Sequence, residues 1–142
     1  MLAGCIFPII VKKQPSLEFL VFDEMNNPIE GAEINFVRYS VHAMPATAAS
    51  WPTILKTDKE GRVSIERESE LQAFIMAADG GYQKYDWAWC VSYNGYLPEY
   101  KIGIRETLDS DSIKVILKNK GKEGGCKWNP KYMGGEFVSN AS

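Results

Sequence analysis

Tyr93, Tyr96 and Tyr100 flank an Asn94-Gly95 pair, and they are the side chains in this sequence best suited to hold a ligand. Asn-Gly tolerates positive φ at both positions and marks a tight turn between strands, so the three rings are expected around one hairpin. Clustered exposed tyrosines offer flat apolar faces tipped with a hydroxyl, which suits stacking on a sugar or packing against a protein. The strand leading into that turn is a different case. Tyr85, Trp87 and Trp89 recur at spacing two with Val91, which places them on one face of one strand, and rings that large are read as core. Asp86, Ala88, Cys90 and Ser92 then face outward, or toward something laid over them.

Groups able to do covalent or metal chemistry are few. His42 is the only histidine and lies in a Pro/Ala-rich stretch, so a zinc site or a histidine triad has almost nothing to work with. The three cysteines, Cys5, Cys90 and Cys126, are too scattered for a metal knuckle. Asp109 and Asp111 lack the flanking oxygen ligands of a calcium loop and read as a solvated turn. No nucleophile elbow, phosphate loop or zinc-binding helix motif occurs. The expectation is a protein that is not an enzyme and carries no cofactor and no metal. The net charge of −2 gives no global basic field, which argues against nucleic acid as the partner. Charge is unevenly spread all the same. From Lys118 onward five lysines stand against Glu123 and Glu136, a tail of +3 on a body of −5. Such a tail is read as a solvated segment, with contact to a membrane surface or to the body as the sharper alternative.

The elements that must position these residues are strands. A chain of 142 residues with 45% apolar residues suffices for one domain with its own core, and no apolar run reaches the length of a membrane-spanning helix. Leu17, Phe19 and Val21 alternate with Glu18, Leu20 and Phe22; after an Asn26-Asn27-Pro28 turn, Ala32, Ile34 and Phe36 alternate with Glu33, Asn35 and Val37. Residues 40–52, with Pro45 and Pro52, read as an inserted loop. Further strands are expected at 54–57, from Val63, at 71–77, 85–93 and 100–104, and over Ile113, Val115 and Leu117. Seven or eight short strands separated by regular turns predict an all-β sandwich.

Several of those turns carry a more specific likeness. Val21-Phe22-Asp23 followed by Asn27-Pro28-Ile29-Glu30-Gly31-Ala32-Glu33-Ile34 resembles the opening of carboxypeptidase regulatory-like domains. Thr57-Asp58-Lys59-Glu60-Gly61-Arg62-Val63 resembles their Thr-Asp-x-x-Gly-x-Phe turn, Gly81-Tyr82 their Gly-Tyr, and the last strand their Val-x-Leu ending. The resemblance covers residues 17–117 and implies a transthyretin-like Greek-key β-sandwich of seven to eight strands, a fold reused as an accessory module. Two chemistries known on such folds are not implied. The ureide hydrolase uses several histidines and a Tyr-Arg-Gly-Ser end, whereas this chain has His42 alone and ends Ser139-Asn140-Ala141-Ser142. Isopeptide-forming adhesin domains need a lysine on the first strand, and residues 17–22 contain none. The stretches 40–52 and 83–110 depart from the family pattern.

Leu2-Ala3-Gly4-Cys5 resembles the lipobox of bacterial lipoproteins, in which small residues admit the signal peptidase and the cysteine then carries the acyl chains. That resemblance implies lipidation of Cys5, a basic and apolar signal segment upstream of Met1, and, with Ile6 after the cysteine, sorting to the outer membrane. Residues 1–16 would then be the lipobox and a tether, 17–118 the sandwich, and 119–142 a basic Gly-rich tail. With Cys5 acylated, Cys90 and Cys126 remain as an even pair, expected to join in an oxidising periplasm and to dock Trp128 and Tyr132 on the sandwich. The function expected is a non-catalytic binding or structural module of the cell envelope, held to the membrane by its lipid alone and contacting a protein. The alternative is a carbohydrate-binding module that takes a glycan on the tyrosine hairpin. An inhibitor or immunity lipoprotein suits the same location but rests on no residue.

Overall fold

The computed structural model describes residues 6–41, 50–75, 84–104, 111–119, 126–131 and 134–138. Eleven strands run through them: β1 (Ile6–Gln14), β2 (Leu17–Asp23), β3 (Glu33–Val41), β4 (Ser50–Lys56), β5 (Arg62–Ile65), β6 (Glu68–Ile75), β7 (Lys84–Ser92), β8 (Glu99–Ile104), β9 (Asp111–Leu117), β10 (Lys127–Lys131) and β11 (Gly134–Val138). No helix is present among them, and the fold is an all-β sandwich.

Seven of these strands make its two main sheets, β5-β2-β9 and β4-β3-β7-β8. Alternation decides their inner faces. Leu17, Phe19 and Val21 of β2, with Val115 and Leu117 of β9, turn inward against Ile34 and Phe36 of β3 and Trp87, Trp89 and Val91 of β7. Phe19 meets Trp89 edge-on at 5.7 Å between ring centres, the arrangement that sets the positive edge of one ring against the negative face of the other. The stripe read as core is core. β2 and β9 run parallel, Leu17 beside Asp111 and Asp23 beside Leu117, while the remaining pairings are antiparallel.

The turns between β2 and β5 are built by side chains that take over backbone hydrogen bonds. The Asp23 carboxylate accepts from the amides of Met25 and Asn27 at 2.9 and 2.8 Å, and the Asn27 amide and side chain hold it below the ordinary carboxylate range. Thr57 Oγ1 donates to the Ile29 carbonyl at 2.6 Å and accepts from the Ala32 amide at 2.9 Å, tying the two turns together where neither reaches water. Gly61 sits at φ +73°, and a Cβ there would stand 2.5 Å from the Val21 carbonyl oxygen. Only glycine fits that approach.

Four strands lie outside the two sheets, as the pairs β1–β6 and β10–β11, and they correct the reading of the chain ends. Residues 6–14 are not a tether. They form a nine-residue strand that pairs antiparallel with β6, Ile6 beside Ile75 and Ile10 beside Leu71. Part of residues 119–142 is likewise no simple solvated tail, since β10 and β11 pair as a ribbon. The stretch 40–52 is less of a loop than expected: β3 continues to Val41 and β4 begins at Ser50, with Pro52 tolerated because β4 is an edge strand. Residues 42–49, including His42 and Pro45, lie outside the described residues.

Candidate functional site

The turn at Asn94-Gly95 forms as expected, with Gly95 at φ +84° and the Tyr96 amide donating to the Tyr93 carbonyl at 3.1 Å. It does not gather the three tyrosines into one platform. Tyr93 and Tyr96 contact each other at 5.9 Å between ring centres with planes tilted by 46°. Tyr96 is half-buried and packs on the main core, because a bridge to Asn119 and the Leu97 amide's bond to the Lys118 carbonyl pull this segment onto the end of β9. Tyr93 keeps 38% of its surface. Tyr100 stands opposite Cys90 in the β7–β8 register, on the outer face of the four-stranded sheet, 58% exposed with its ring 6.1 Å from Phe137. Tyr93 and Tyr96 thus form one tilted pair, and Tyr100 forms a second with Phe137.

That outer face holds the more developed arrangement. Asn35, Val37 and Tyr39 of β3 alternate outward, and the β3–β7 register sets Cys90, Ala88 and Asp86 beside them. The ribbon β10–β11 lies across this strip. Cys126 joins Cys90 in a disulfide whose Cα atoms are 5.7 Å apart, well within bridging range. Asn35 Nδ2 donates to the Cys126 carbonyl at 2.8 Å. The Trp128 ring stacks on Tyr39 at 5.7 Å and 24° and meets Phe137 edge-on at 4.9 Å. Val37, Tyr39, Ala88 and Trp128 form a second apolar cluster with Phe137 packed against it. The face read as pointing outward or toward something laid over it is covered, and the chain's own C-terminal ribbon is the cover. Tyr132 lies outside the described residues.

The other ribbon is joined to the inner face by polar groups. Trp87 Nε1 donates to the Lys13 carbonyl at 2.8 Å, and Val11 is buried in the main core beside Trp87. Tyr85 donates its hydroxyl proton to Glu70 Oε1 at 2.7 Å, Lys13 pairs with Glu70 at 3.2 Å, and Arg38 pairs with Glu68 at 2.6 Å. Burial, with the Glu70 carboxylate close by, pushes the Tyr85 hydroxyl up to about 12. Hydrogen bonds from Tyr85 and Gln72, and then Lys13, hold Glu70 below its ordinary value. On its far side this ribbon sets Ile10 directly opposite Leu71, 77% and 71% exposed, a cross-strand pair with its apolar surface turned to solvent.

Sequence reasoning missed Tyr39, Phe137 and the Lys13–Glu70–Tyr85 group. The first was accessible, since Tyr39 continues the alternation of Asn35 and Val37. Cys5, His42 and Asp109 lie outside the described residues. Among the described residues no three His, Cys, Asp or Glu side chains converge as metal ligands, and no helix is long and apolar enough to cross a membrane.

These features define a class, an all-β sandwich carrying a ribbon on each side of one sheet. No protein-family model, curated protein or solved structure matches the chain.

Proposed function

We propose that this protein is a non-catalytic binding or structural module of the bacterial cell envelope, anchored by lipid at Cys5 and contacting a protein partner. The observation that carries the location is the pairing of Cys90 with Cys126, because disulfides persist in oxidising compartments and are uncommon in the cytosol. The Leu2-Ala3-Gly4-Cys5 motif supports the anchor, and a seven-stranded pair of main sheets suits the transthyretin-like, carboxypeptidase regulatory-like resemblance. The choice of a protein over a glycan follows from the tyrosines. Tyr100 lies with Phe137 while Tyr93 lies with Tyr96, which is poor geometry for a sugar platform. Exposed apolar pairs such as Ile10 and Leu71 suit a protein contact instead.

The anchor is tested by fractionation and mass. The native protein is expected to partition into detergent and carry an acyl mass on Cys5, and Cys5→Ser is expected to release it into the soluble envelope fraction. A native product with an unmodified Cys5 that stays soluble would overturn this reading.

A further inference from the structure

We infer that the Cys90–Cys126 disulfide is a redox latch that holds the β10–β11 ribbon as a displaceable cover over Val37, Tyr39 and Ala88 on the outer face of the four-stranded sheet. The inference rests on how the ribbon is attached and is independent of the lipid anchor. β10 pairs with β11 and with no other described strand, so no ladder of backbone hydrogen bonds ties the ribbon to the sheet beneath it. The described attachments are side-chain contacts: the stack of Trp128 on Tyr39, the contact of Phe137 with Tyr100, the bond from Asn35 to the Cys126 carbonyl, and the disulfide.

The joint is also imperfect. Asn35 Oδ1 and Trp128 Nε1 are both buried in it without a hydrogen-bond partner among the described residues. Burying such groups unpaired is unfavourable, and lifting the ribbon returns both to water. Against that stands the apolar contact of Trp128 and Phe137. The covalent bond tips the balance toward docking, because it replaces the backbone connection from β9 as the shortest tether between ribbon and sheet.

The latch opens by thiol–disulfide exchange with a dithiol reductant. Cys126 is half-buried, whereas Cys90 is 1% exposed, so the attacking thiolate reaches the Cys126 sulfur. The S–S bond breaks, its electron pair leaves on the Cys90 sulfur, and that sulfur takes a proton. The second thiolate of the reductant then attacks the mixed disulfide, freeing Cys126 as a thiol and leaving the reductant oxidised. With the ribbon lifted, Val37, Tyr39 and Ala88 become accessible next to Asn35, whose partner on the edge strand is the exposed Ile54. The uncovered strip is apolar at Val37, Tyr39 and Ala88 and is flanked by Asn35 and Asp86.

The test uses the full chain with dithiothreitol as the reductant and hydrogen exchange read by mass spectrometry. Reduction is expected to raise exchange across residues 126–138 at least tenfold while β2, β3 and β7 keep their protection, and Cys126→Ser without reductant is expected to give the same pattern. Alkylation of Cys90 is expected to follow reduction without denaturant. A reduced protein whose ribbon stays protected would show that the side-chain contacts alone hold the cover. Loss of protection throughout the sandwich would show that the bond is a structural staple. Either result overturns the latch.

Discussion

Two ribbons lie on opposite faces of the four-stranded sheet, and different chemistry attaches each. The β1–β6 ribbon joins the inner face through Val11 in the main core, a bond from Trp87 to the Lys13 carbonyl, and the Lys13–Glu70–Tyr85 and Arg38–Glu68 contacts. The β10–β11 ribbon joins the outer face through aromatic rings and one covalent bond. A two-stranded ribbon is marginal by itself in water, so each depends on what it is laid against. The first attachment should respond to pH and the second to aromatic truncation and to reductant.

The largest effect is expected from Trp128→Ala. That ring is buried, stacks on Tyr39 and meets Phe137. Truncating a buried tryptophan removes its transfer free energy and leaves a cavity, which costs about 3 kcal/mol. The loss should fall on the outer ribbon. Denaturant unfolding followed by hydrogen exchange is expected to show β10–β11 loosened with the disulfide intact, and β1–β6 unchanged. Equal loosening of both ribbons would break the comparison, since it would mean that they are coupled through β3 and β7.

A smaller effect, of opposite location, is expected from pH. Glu70 has its folded value held below the ordinary one, chiefly by the Tyr85 hydroxyl. In the unfolded chain it therefore takes up a proton at higher pH than in the fold. Its contribution is present above about pH 4.5, the unfolded value, and is lost as pH falls through the lowered one. Tyr85 works in the other direction. Its folded value of about 12 lies above the unfolded value of 10.0, so its contribution is complete below pH 10 and is lost as pH rises toward 12. Protection of β1 and β6 is expected to decline at both ends of the scale. The outer ribbon, held by rings and a disulfide, is expected to keep its protection at the acid end. A ribbon β1–β6 that stays equally protected from pH 3 to 7 would remove Glu70 from the attachment.

The contrast between the ribbons was half legible in the sequence, and the reason is range. Alternation is a local signal, so Tyr85, Trp87, Trp89 and Val91 announce an inner face without knowledge of what lies opposite. The turns are local too, with Asp23, Thr57 and Gly61 in sequences that allow only a few geometries. Pairing Cys90 with Cys126 spans 36 residues, but cysteine is rare enough here for arithmetic to replace geometry. The β1 strand had no such help. Ile6–Val11 is apolar on both sides of Pro8 without alternation, so period two is hidden, and its partner β6 lies more than fifty residues away. The tyrosines fail for a different reason. Spacing around Asn94-Gly95 fixes the turn, yet the irregular register between β7 and β8 and the bridge from Tyr96 to Asn119 decide which way each ring faces. The ribbon covering the outer face was legible as a possibility through Cys126 and Trp128, and the roles of Tyr39 and Phe137 became visible only with the joint assembled.

The smallest effect is expected from Asn35→Ala, and its size discriminates between two accounts of the outer joint. Asn35 Nδ2 donates to the Cys126 carbonyl, and a hydrogen bond of this kind contributes about 1 kcal/mol net. On that account alone the alanine variant should loosen the ribbon measurably. The same side chain, however, buries Oδ1 without a partner, a penalty of about 1–3 kcal/mol that truncation removes. Truncation also leaves the Cys126 carbonyl without its donor, at a cost of the same order if water does not reach it. Cys126 is half-buried and near the rim of the joint, so water can replace the lost donor. The relief at Oδ1 then matches the lost bond or exceeds it by up to about 2 kcal/mol. Thermal unfolding and exchange in residues 126–131 are therefore expected to show no loosening relative to the parent protein. A loss of about 2 kcal/mol or more would make Asn35 the anchor of the ribbon and reduce the rings and the disulfide to secondary contacts.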